Sequence, residues 1–246
     1  MNNSPKIAVL YHLFYEDTFE KVCRELEPLL FFETTFLFNI CIETPDKRSI
    51  TVALRNKFPG CYIINTSNKG KDIGAKLALL QLFLELQIEA DYLLFLHDKK
   101  SLQALKSNTW KKDLLKIISP ESIQKVIKIF QESIEFGLIA TNEYIINEPF
   151  EDGHFSGING QILANLVLNY GLKPTSFAFV AGTMFWAKVH PVKDFFNRYN
   201  PLEIRKDLED GNILDNFSGT ITHSWERVLS WIITSQGYSI KGITNV

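Results

Sequence analysis

The stretch GAKLALLQLFLELQIEADYLLFL, residues 74–96, runs from an apolar helix straight into a buried strand. Its first part is long and strongly apolar, which indicates a helix, whereas DYLLFL (91–96) is short and mostly apolar, as buried strands are. The preceding chain holds three similar strands and two helical segments between them, at 6–15, 34–44 and 61–67 and at 16–30 and 49–58. This alternation predicts an α/β fold whose mostly parallel sheet is flanked by helices.

The second half of the chain is less regular. SPESIQKVIKIFQES (119–133) predicts an amphipathic helix that Ser119 caps and Pro120 begins. After it we expect a strand, a long polar loop, a helix, a strand-like run interrupted by Gly182, a charged loop and a final helix, at 136–141, 142–160, 160–171, 177–188, 205–212 and 223–235. No repeat, low-complexity segment or linker divides the chain, so we expect a single domain over residues 1–246.

The composition excludes several classes of protein. A net charge of -2 with 22% charged residues gives no broad basic surface, so we expect no nucleic-acid partner. The three cysteines, Cys23, Cys41 and Cys61, are odd in number and far apart, which favours a reducing compartment over a disulfide framework. With neither a signal peptide nor an apolar run of membrane-spanning length, the expected location is the cytoplasm.

Ligands of parallel α/β sheets bind beyond the carboxyl ends of the strands, which directs attention to NKGKDIGAKL (68–77). Gly70 and Gly74 permit a tight turn, and the N–H groups at the start of a helix attract anions. Lys69, Lys71 and Lys76 add positive charge that suits a diphosphate. The alternative is an ordinary turn and helix start with solvated lysines.

YLLFLHDKKS (92–101) places His97 and Asp98 just past a buried strand, where a metal ion or a pyrophosphate could bind. Mg²⁺ keeps several waters and needs few carboxylates. Lys99 and Lys100 oppose a cation but can neutralise phosphate. A solvated strand end is the alternative.

THSWERVLSWI (222–232) puts His223 and Glu226 three residues apart, on one face of the last helix, with Thr222 as its expected cap. A carboxylate near an apolar face could act as a general base. The alternative is a surface glutamate that pairs with Arg227.

Four pieces, NKGKDIGAKL, FLHDKKS, FVAGTMFWAK and GTITHSWERVLSW, stand in an order that resembles the rhamnan synthesis protein F family of bacterial polysaccharide glycosyltransferases. The resemblance implies a GT-A-like (Rossmann-like) fold, with a nucleotide-binding half at 1–101 and an acceptor-side half at 102–246. It also implies transfer of a sugar from a nucleoside-diphosphate sugar, such as dTDP-rhamnose, to a cell-surface polysaccharide or lipid-linked glycan. With such an acceptor we expect peripheral contact with the inner face of the cytoplasmic membrane.

The resemblance assigns roles to individual residues. The nucleobase and ribose would be flanked by Tyr11, His12 and Glu43. The nucleotide side would be lined by Lys69, Gly70 and Asp72, and the place of the Asp-x-Asp metal motif is taken by His97, Asp98 and Lys99. The acceptor side would be formed by Gly182, Thr183, Trp186 and His223, and Glu226 falls where inverting enzymes carry the base.

The departure from Asp-x-Asp leaves two possibilities for the leaving diphosphate. Lys99 could neutralise it without a metal, which we favour, or Asp98 and His223 could complete a sparse Mg²⁺ or Mn²⁺ site. The same departure motivates a second hypothesis, a catalytically degenerate subunit of a larger synthase that binds a nucleotide sugar or a glycan without turnover. A nucleotidyltransferase would need a cluster of carboxylates for two metals, and the sequence offers none.

Overall fold

The computed structural model describes residues 4–98, 115–215 and 218–244, and its centre is a seven-stranded sheet. The strands of this sheet are β1 (Lys6–Leu13), β2 (Glu33–Cys41), β3 (Tyr62–Thr66), β4 (Tyr92–His97), β5 (Phe136–Thr141), β10 (Phe185–Lys188) and β11 (Ser239–Ile243). Four short strands form two small separate ladders, β6 (Ile145–Asn147) with β9 (Ala178–Val180), and β7 (Phe150–Glu151) with β8 (His154–Phe155).

The spatial order of the large sheet is β11-β5-β10-β4-β1-β2-β3. Neighbours run parallel except at β10, which is antiparallel to both β4 and β5. Strands from both halves of the chain therefore share one sheet, and the expected α/β architecture with a mostly parallel sheet is confirmed.

The described helices cover both faces of the sheet. They are α1 (Phe19–Leu26), α2 (Lys47–Lys57), α3 (Lys71–Glu85), α4 (Pro120–Glu132), α5 (Gly160–Asn169), α6 (Val189–Phe196), α7 (Pro201–Lys206) and α8 (Ile221–Thr234). One buried layer includes side chains of α1, α2 and α4, and the other includes side chains of α3, α6 and α8. None of the helices in the described ranges is both long and apolar enough to cross a membrane.

Two expected elements differ from those observed. The single run expected at 177–188 is two strands of different sheets, because Gly182 (φ +82°) and Thr183 (φ +51°) turn the chain between β9 and β10. The last helix begins at Ile221, and its cap is Thr220, whose hydroxyl accepts from the His223 N–H at 3.1 Å. The expected cap, Thr222, is wrong because its hydroxyl donates to Glu209.

Candidate active site

The carboxyl ends of three neighbouring strands bring polar side chains into one row. Strand register sets His12 of β1 beside Asn39 of β2 on one side and beside His97 of β4 on the other. His12 Nδ1 lies 2.9 Å from Asn39 Nδ2, and all three residues are buried. Burial lowers the pKa of His12 to about 4, so this imidazole is neutral at physiological pH.

Lys76 of α3 reaches this row with a completely buried ammonium group. Its Nζ donates to Asp72 Oδ2 at 2.9 Å, to His97 Nδ1 at 3.2 Å and to the hydroxyl of Thr183. Because an ammonium group only donates, this contact requires Nδ1 of His97 to be the acceptor. The partners come from α3, β4 and the turn before β10, so Lys76 joins three elements.

Lys76 and Asp72 form an ion pair in which the ammonium group is buried and the carboxylate is partly exposed. Burial lowers the pKa of Lys76, and the charge of Asp72 opposes that change. For Asp72, desolvation alone would raise the pKa, yet the charge of Lys76 holds it well below its usual range. The Asp72 side chain is 25% exposed, so the network opens to solvent there with a carboxylate that stays ionised.

The turn at Gly182 and Thr183 connects this network to the last helix. Thr183 Oγ1 donates to Asp72 Oδ2 at 2.6 Å, and the Gly182 N–H donates to Glu226 Oε1 at 2.7 Å. A β-branched residue such as Thr183 rarely adopts a left-handed conformation, which costs energy unless its surroundings fix it. The hydrogen bonds on both sides of the turn supply that restraint.

Glu226 is held by a cation as well as by the turn. Its Oε2 accepts from Arg227 Nη1 at 2.8 Å, so the alternative of pairing with Arg227 occurs alongside the contact with Gly182. Arg227 Nε in turn donates to the buried Glu148 at 2.9 Å, and its guanidinium lies 4.4 Å from the ring centre of Phe179. The Glu226 side chain remains 20% exposed, so a ligand can reach this oriented carboxylate.

His223 lies one turn before Glu226, in the first turn of α8. Its Nδ1 is 2.6 Å from the hydroxyl of Thr220 and 3.7 Å from Asp215 Oδ2. The pKa of His223 is lowered by burial and then by the positive charge of Lys71. The charge at the amino end of α3 therefore acts on the first turn of α8.

Lys69, Lys71 and Lys76 lie in the Gly-rich loop (residues 68–74) or in α3, and they differ in their partners. Lys69 Nζ lies 3.5 Å from Asp210 Oδ1, and Lys76 is enclosed in the buried network. For Lys71 Nζ no hydrogen bond or ion pair is found within residues 4–98, 115–215 and 218–244, and no side chain caps the first turn of α3. Of the three, Lys71 is therefore the cation best able to bind an anion.

Asp98 organises the loop that follows β1. Its carboxylate accepts from the N–H groups of Phe14 at 2.8 Å and Tyr15 at 2.6 Å, and from the Thr18 hydroxyl at 2.8 Å. These bonds use most of the acceptor capacity that a divalent cation would need. In the part of the chain that the structure describes, no group of three or more His, Cys, Asp or Glu side chains is placed to hold a metal ion. The described groups around Asp98 do not supply the ligands that a resident Mg²⁺ or Mn²⁺ would need.

The remaining expected site residues are distributed more widely. Tyr11 is fully buried beside Phe38, and Trp186 is fully buried with its Nε1 donating to the Ile117 carbonyl oxygen at 3.1 Å, so both side chains belong to the core. Glu43 is exposed on the turn after β2. Lys99 lies outside the described residues.

Sequence reasoning missed Asn39 and Glu148 and did not predict the roles that Lys76 and Arg227 have in the site. The buried position of Lys76, the amide of Asn39 and the ion pair of Arg227 with Glu148 are seen only in the fold. One local signal was present, since Asp72 and Lys76 are four residues apart at the start of a helix, where such pairs interact.

Comparison with known proteins places the chain in a family. No curated protein matches the sequence. A solved structure, the mannosyltransferase PcManGT from Pyrobaculum calidifontis in complex with GDP-Man and Mn²⁺, aligns with all of this chain at 10% identity and a TM-score of 0.46, too low to carry an argument. The chain spans 56% of the length of that protein. The family model for rhamnan synthesis protein F matches residues 1–238, and the chain therefore belongs to that family.

Proposed function

We propose that this chain is a glycosyltransferase that moves a sugar from a nucleoside-diphosphate sugar to a glycan acceptor. Membership of the rhamnan synthesis protein F family supports this proposal. The observation that carries it is the Gly182–Thr183 turn, which contacts Asp72 of the Gly-rich loop on one side and Glu226 of α8 on the other. A base on one wall and an anion-binding loop on the other are what transfer from a nucleotide sugar requires.

In the proposed reaction the donor lies along residues 68–74 and the acceptor approaches from the side of Gly182. Glu226 removes the proton from an acceptor hydroxyl while the oxygen of that hydroxyl attacks the anomeric carbon of the donor. The bond from that carbon to the diphosphate breaks on the opposite face, so the anomeric configuration inverts. The Gly182 N–H and Arg227 orient the two oxygens of Glu226 before the substrate arrives, which reduces the cost of reorganisation.

The leaving diphosphate carries negative charge that the site must balance. Lys71 at the start of α3 supports this role, because its ammonium group is not neutralised by a described carboxylate. Lys99 stays a candidate for the same role. We favour protein cations over a resident metal on Asp98, because the carboxylate of Asp98 is engaged by the β1 loop.

The finer assignments belong to the same proposal. Rhamnose from dTDP-rhamnose is the suggested donor, and a polysaccharide or a lipid-linked oligosaccharide of the cell envelope is the suggested acceptor. The work would take place in the cytoplasm, at the inner face of the membrane. Residues 1–101 would carry the donor side and residues 102–246 the acceptor side of one domain.

The Glu226→Gln variant tests the base. An amide oxygen can still accept from the Gly182 N–H, so the turn should survive while the proton acceptor is lost. We expect transfer to fall by about 100-fold or more, with donor binding nearly unchanged. The rate of transfer is measured as the release of nucleoside diphosphate. The control is Glu132→Gln, which changes an exposed residue of α4. Transfer by Glu226→Gln at the rate of the unaltered protein would exclude Glu226 as the base.

The second candidate function is a subunit that binds a nucleotide sugar or a glycan without turnover. The observation in its favour is that Glu226 is ion-paired with Arg227 and Asp98 is engaged by its own loop, so neither carboxylate is unpartnered. Calorimetric titration with UDP, GDP and dTDP, beside a donor-hydrolysis assay, separates the two. Binding with no hydrolysis and no transfer to any glycan acceptor would favour the binding subunit.

A further inference from the structure

Residues 205–212, here called the bridging segment, lie along the Gly-rich loop. Arg205 donates from Nε to the carbonyl oxygen of Gly74 and from Nη2 to that of Ser67, both at 3.1 Å. Leu208 packs so closely on Gly70 that a Cβ at position 70 would collide with its side chain. The bridging segment therefore contacts the loop at both ends and in the middle.

Glu209 is the residue of this segment that contacts both walls of the site. Its main-chain carbonyl oxygen accepts from the Gly70 N–H at 2.7 Å. Its carboxylate accepts from the N–H groups of Ile221 at 2.6 Å and Thr222 at 2.9 Å, and from the Thr222 hydroxyl at 2.6 Å. The backbone of one residue thus binds the donor-side loop while its side chain binds the first turn of α8.

The carboxylate of Glu209 completes the amino end of α8. The first N–H groups of a helix have no partners within it. Here Thr220 N donates to Asn159, His223 N donates to the Thr220 hydroxyl, and the two between them donate to Glu209. Burial alone would raise the pKa of Glu209, but the hydrogen bonds from Thr222 and Ile221 lower it, so the group is ionised at neutral pH.

We propose that Glu209 is a positioning residue that holds α8, and with it Glu226, at a fixed distance from the Gly-rich loop. The catalytic half of this inference rests on the proposed function, because it concerns the distance between the base and the bound donor. The mechanical half is independent of any substrate. Loss of the carboxylate frees the start of α8 and also loosens the loop through the main chain of Glu209.

Amide hydrogen exchange of the free protein, measured by NMR, tests the mechanical half in the variant Glu209→Gln. An amide has one acceptor oxygen, and its NH₂ group would face the N–H donors of α8. We expect protection of Ile221 and Thr222 to fall by about tenfold or more, as for loss of hydrogen bonds to a charged group. Protection of the Gly70 N–H should fall as well, which a simple helix cap would not cause.

The matched control is Glu203→Gln, which removes the same charge from an exposed residue of α7 that pairs with Lys206. Protection at Gly70 should be unchanged in this variant. Thr222→Val keeps the shape of the residue but removes one donor to Glu209, and we expect a smaller loss at Gly70 in the same direction. This second variant decides the matter if Glu209→Gln does not fold. Unchanged protection at Gly70 in Glu209→Gln, or in Thr222→Val where Glu209→Gln does not fold, would overturn the proposal.

Kinetics test the catalytic half. In Glu209→Gln, kcat for transfer should fall by about tenfold, the kcat of Glu203→Gln should equal that of the unaltered protein, and both variants should keep their thermal midpoints within a few degrees. A kcat of Glu209→Gln equal to that of the unaltered protein would overturn this half. The exchange experiment needs no donor. If the protein shows no transferase activity, the proposed function is wrong, but the exchange experiment still tests the role of Glu209.

Discussion

At the scale of the residue, equal charges near the start of α3 have different roles because their surroundings differ. Lys76 is fully buried and its ammonium group is satisfied by three partners, so it acts as a structural link. Removing such a group would leave Asp72 as an uncompensated charge, which is strongly destabilising. Lys71 is partly exposed and its charge acts on His223, and among the residues that the structure describes no carboxylate pairs with it.

The contrast gives a prediction for ligand binding. Lys71→Met should weaken binding of whichever of UDP, GDP and dTDP the protein binds by about tenfold, the worth of one hydrogen bond to a charged group. Lys69→Met should have a smaller effect, because Asp210 already balances that charge. Isothermal titration calorimetry measures both, with the exposed Lys128→Met as the neutral control. Equal affinities for Lys71→Met and the unaltered protein would contradict the assignment.

At the scale of the element, the site depends on short segments with left-handed backbone. Gly70 and Lys71 begin α3 with φ of +70° and +51°, and Gly182 and Thr183 turn the chain before β10. The first pair lies between β3 and the body of α3, and the second lies between β9 and β10. The bridging segment lies against Gly70 because that position has no side chain.

A pair of alanine variants separates backbone strain from close packing. Gly70 and Gly153 both have positive φ, +70° and +82°, but a Cβ at Gly153 meets no atom within 4 Å, whereas one at Gly70 meets Leu208. Gly153→Ala should lower the free energy of unfolding by about 1 kcal/mol, from strain alone. Gly70→Ala should cost about 1–3 kcal/mol more. Urea unfolding measures both, and equal losses would mean that Leu208 moves aside freely.

At the scale of the whole molecule, the parallel strands β1, β2 and β4 gather a neutral histidine, a buried ion pair and a strained turn at one end of the sheet. Such a concentration of buried polar groups is stable only while each group keeps its protonation state. The protein should therefore be sensitive to acid.

The free energy of unfolding should fall between pH 6.5 and pH 4. With a folded pKa of about 4 for His12 against an ordinary 6.5, the unfolded chain binds more protons in this range, so stability rises with pH. The loss on acidification is up to about 3 kcal/mol. Below about pH 4, protonation of Asp72, whose pKa is also lowered, acts in the same direction.

Denaturant unfolding at pH 7, 5.5 and 4.5 checks this expectation. His12→Gln should show a flatter dependence on pH than the unaltered protein, because it removes the buried imidazole. His190→Gln, which alters an exposed histidine on α6, should keep the full dependence. If His12→Gln and His190→Gln lose stability in parallel, His12 is not the source.

Much of the fold could be predicted from local patterns. The strand at 136–141 is found as expected, and so is the helix that Ser119 caps and Pro120 begins, because capping and apolar runs are local effects. The strand β11 and the separation of β9 from β10 were not predicted. Short strands of five residues or fewer carry little periodicity, and their partners decide whether they pair.

By itself, the sequence determined the α/β class, the loops that end the parallel strands, and the charged residues that those loops carry. Only the tertiary structure decided how those charges are used. It enclosed Lys76, left Lys71 without a described partner, engaged Asp98 in the β1 loop and set Glu226 against Gly182. The physical reason is that many of the deciding partners come from segments far apart in the chain, 44 residues apart for Gly182 with Glu226 and 83 for Tyr15 with Asp98. Local sequence fixes the kind of side chain, and long-range packing fixes its partners and therefore its charge and its role.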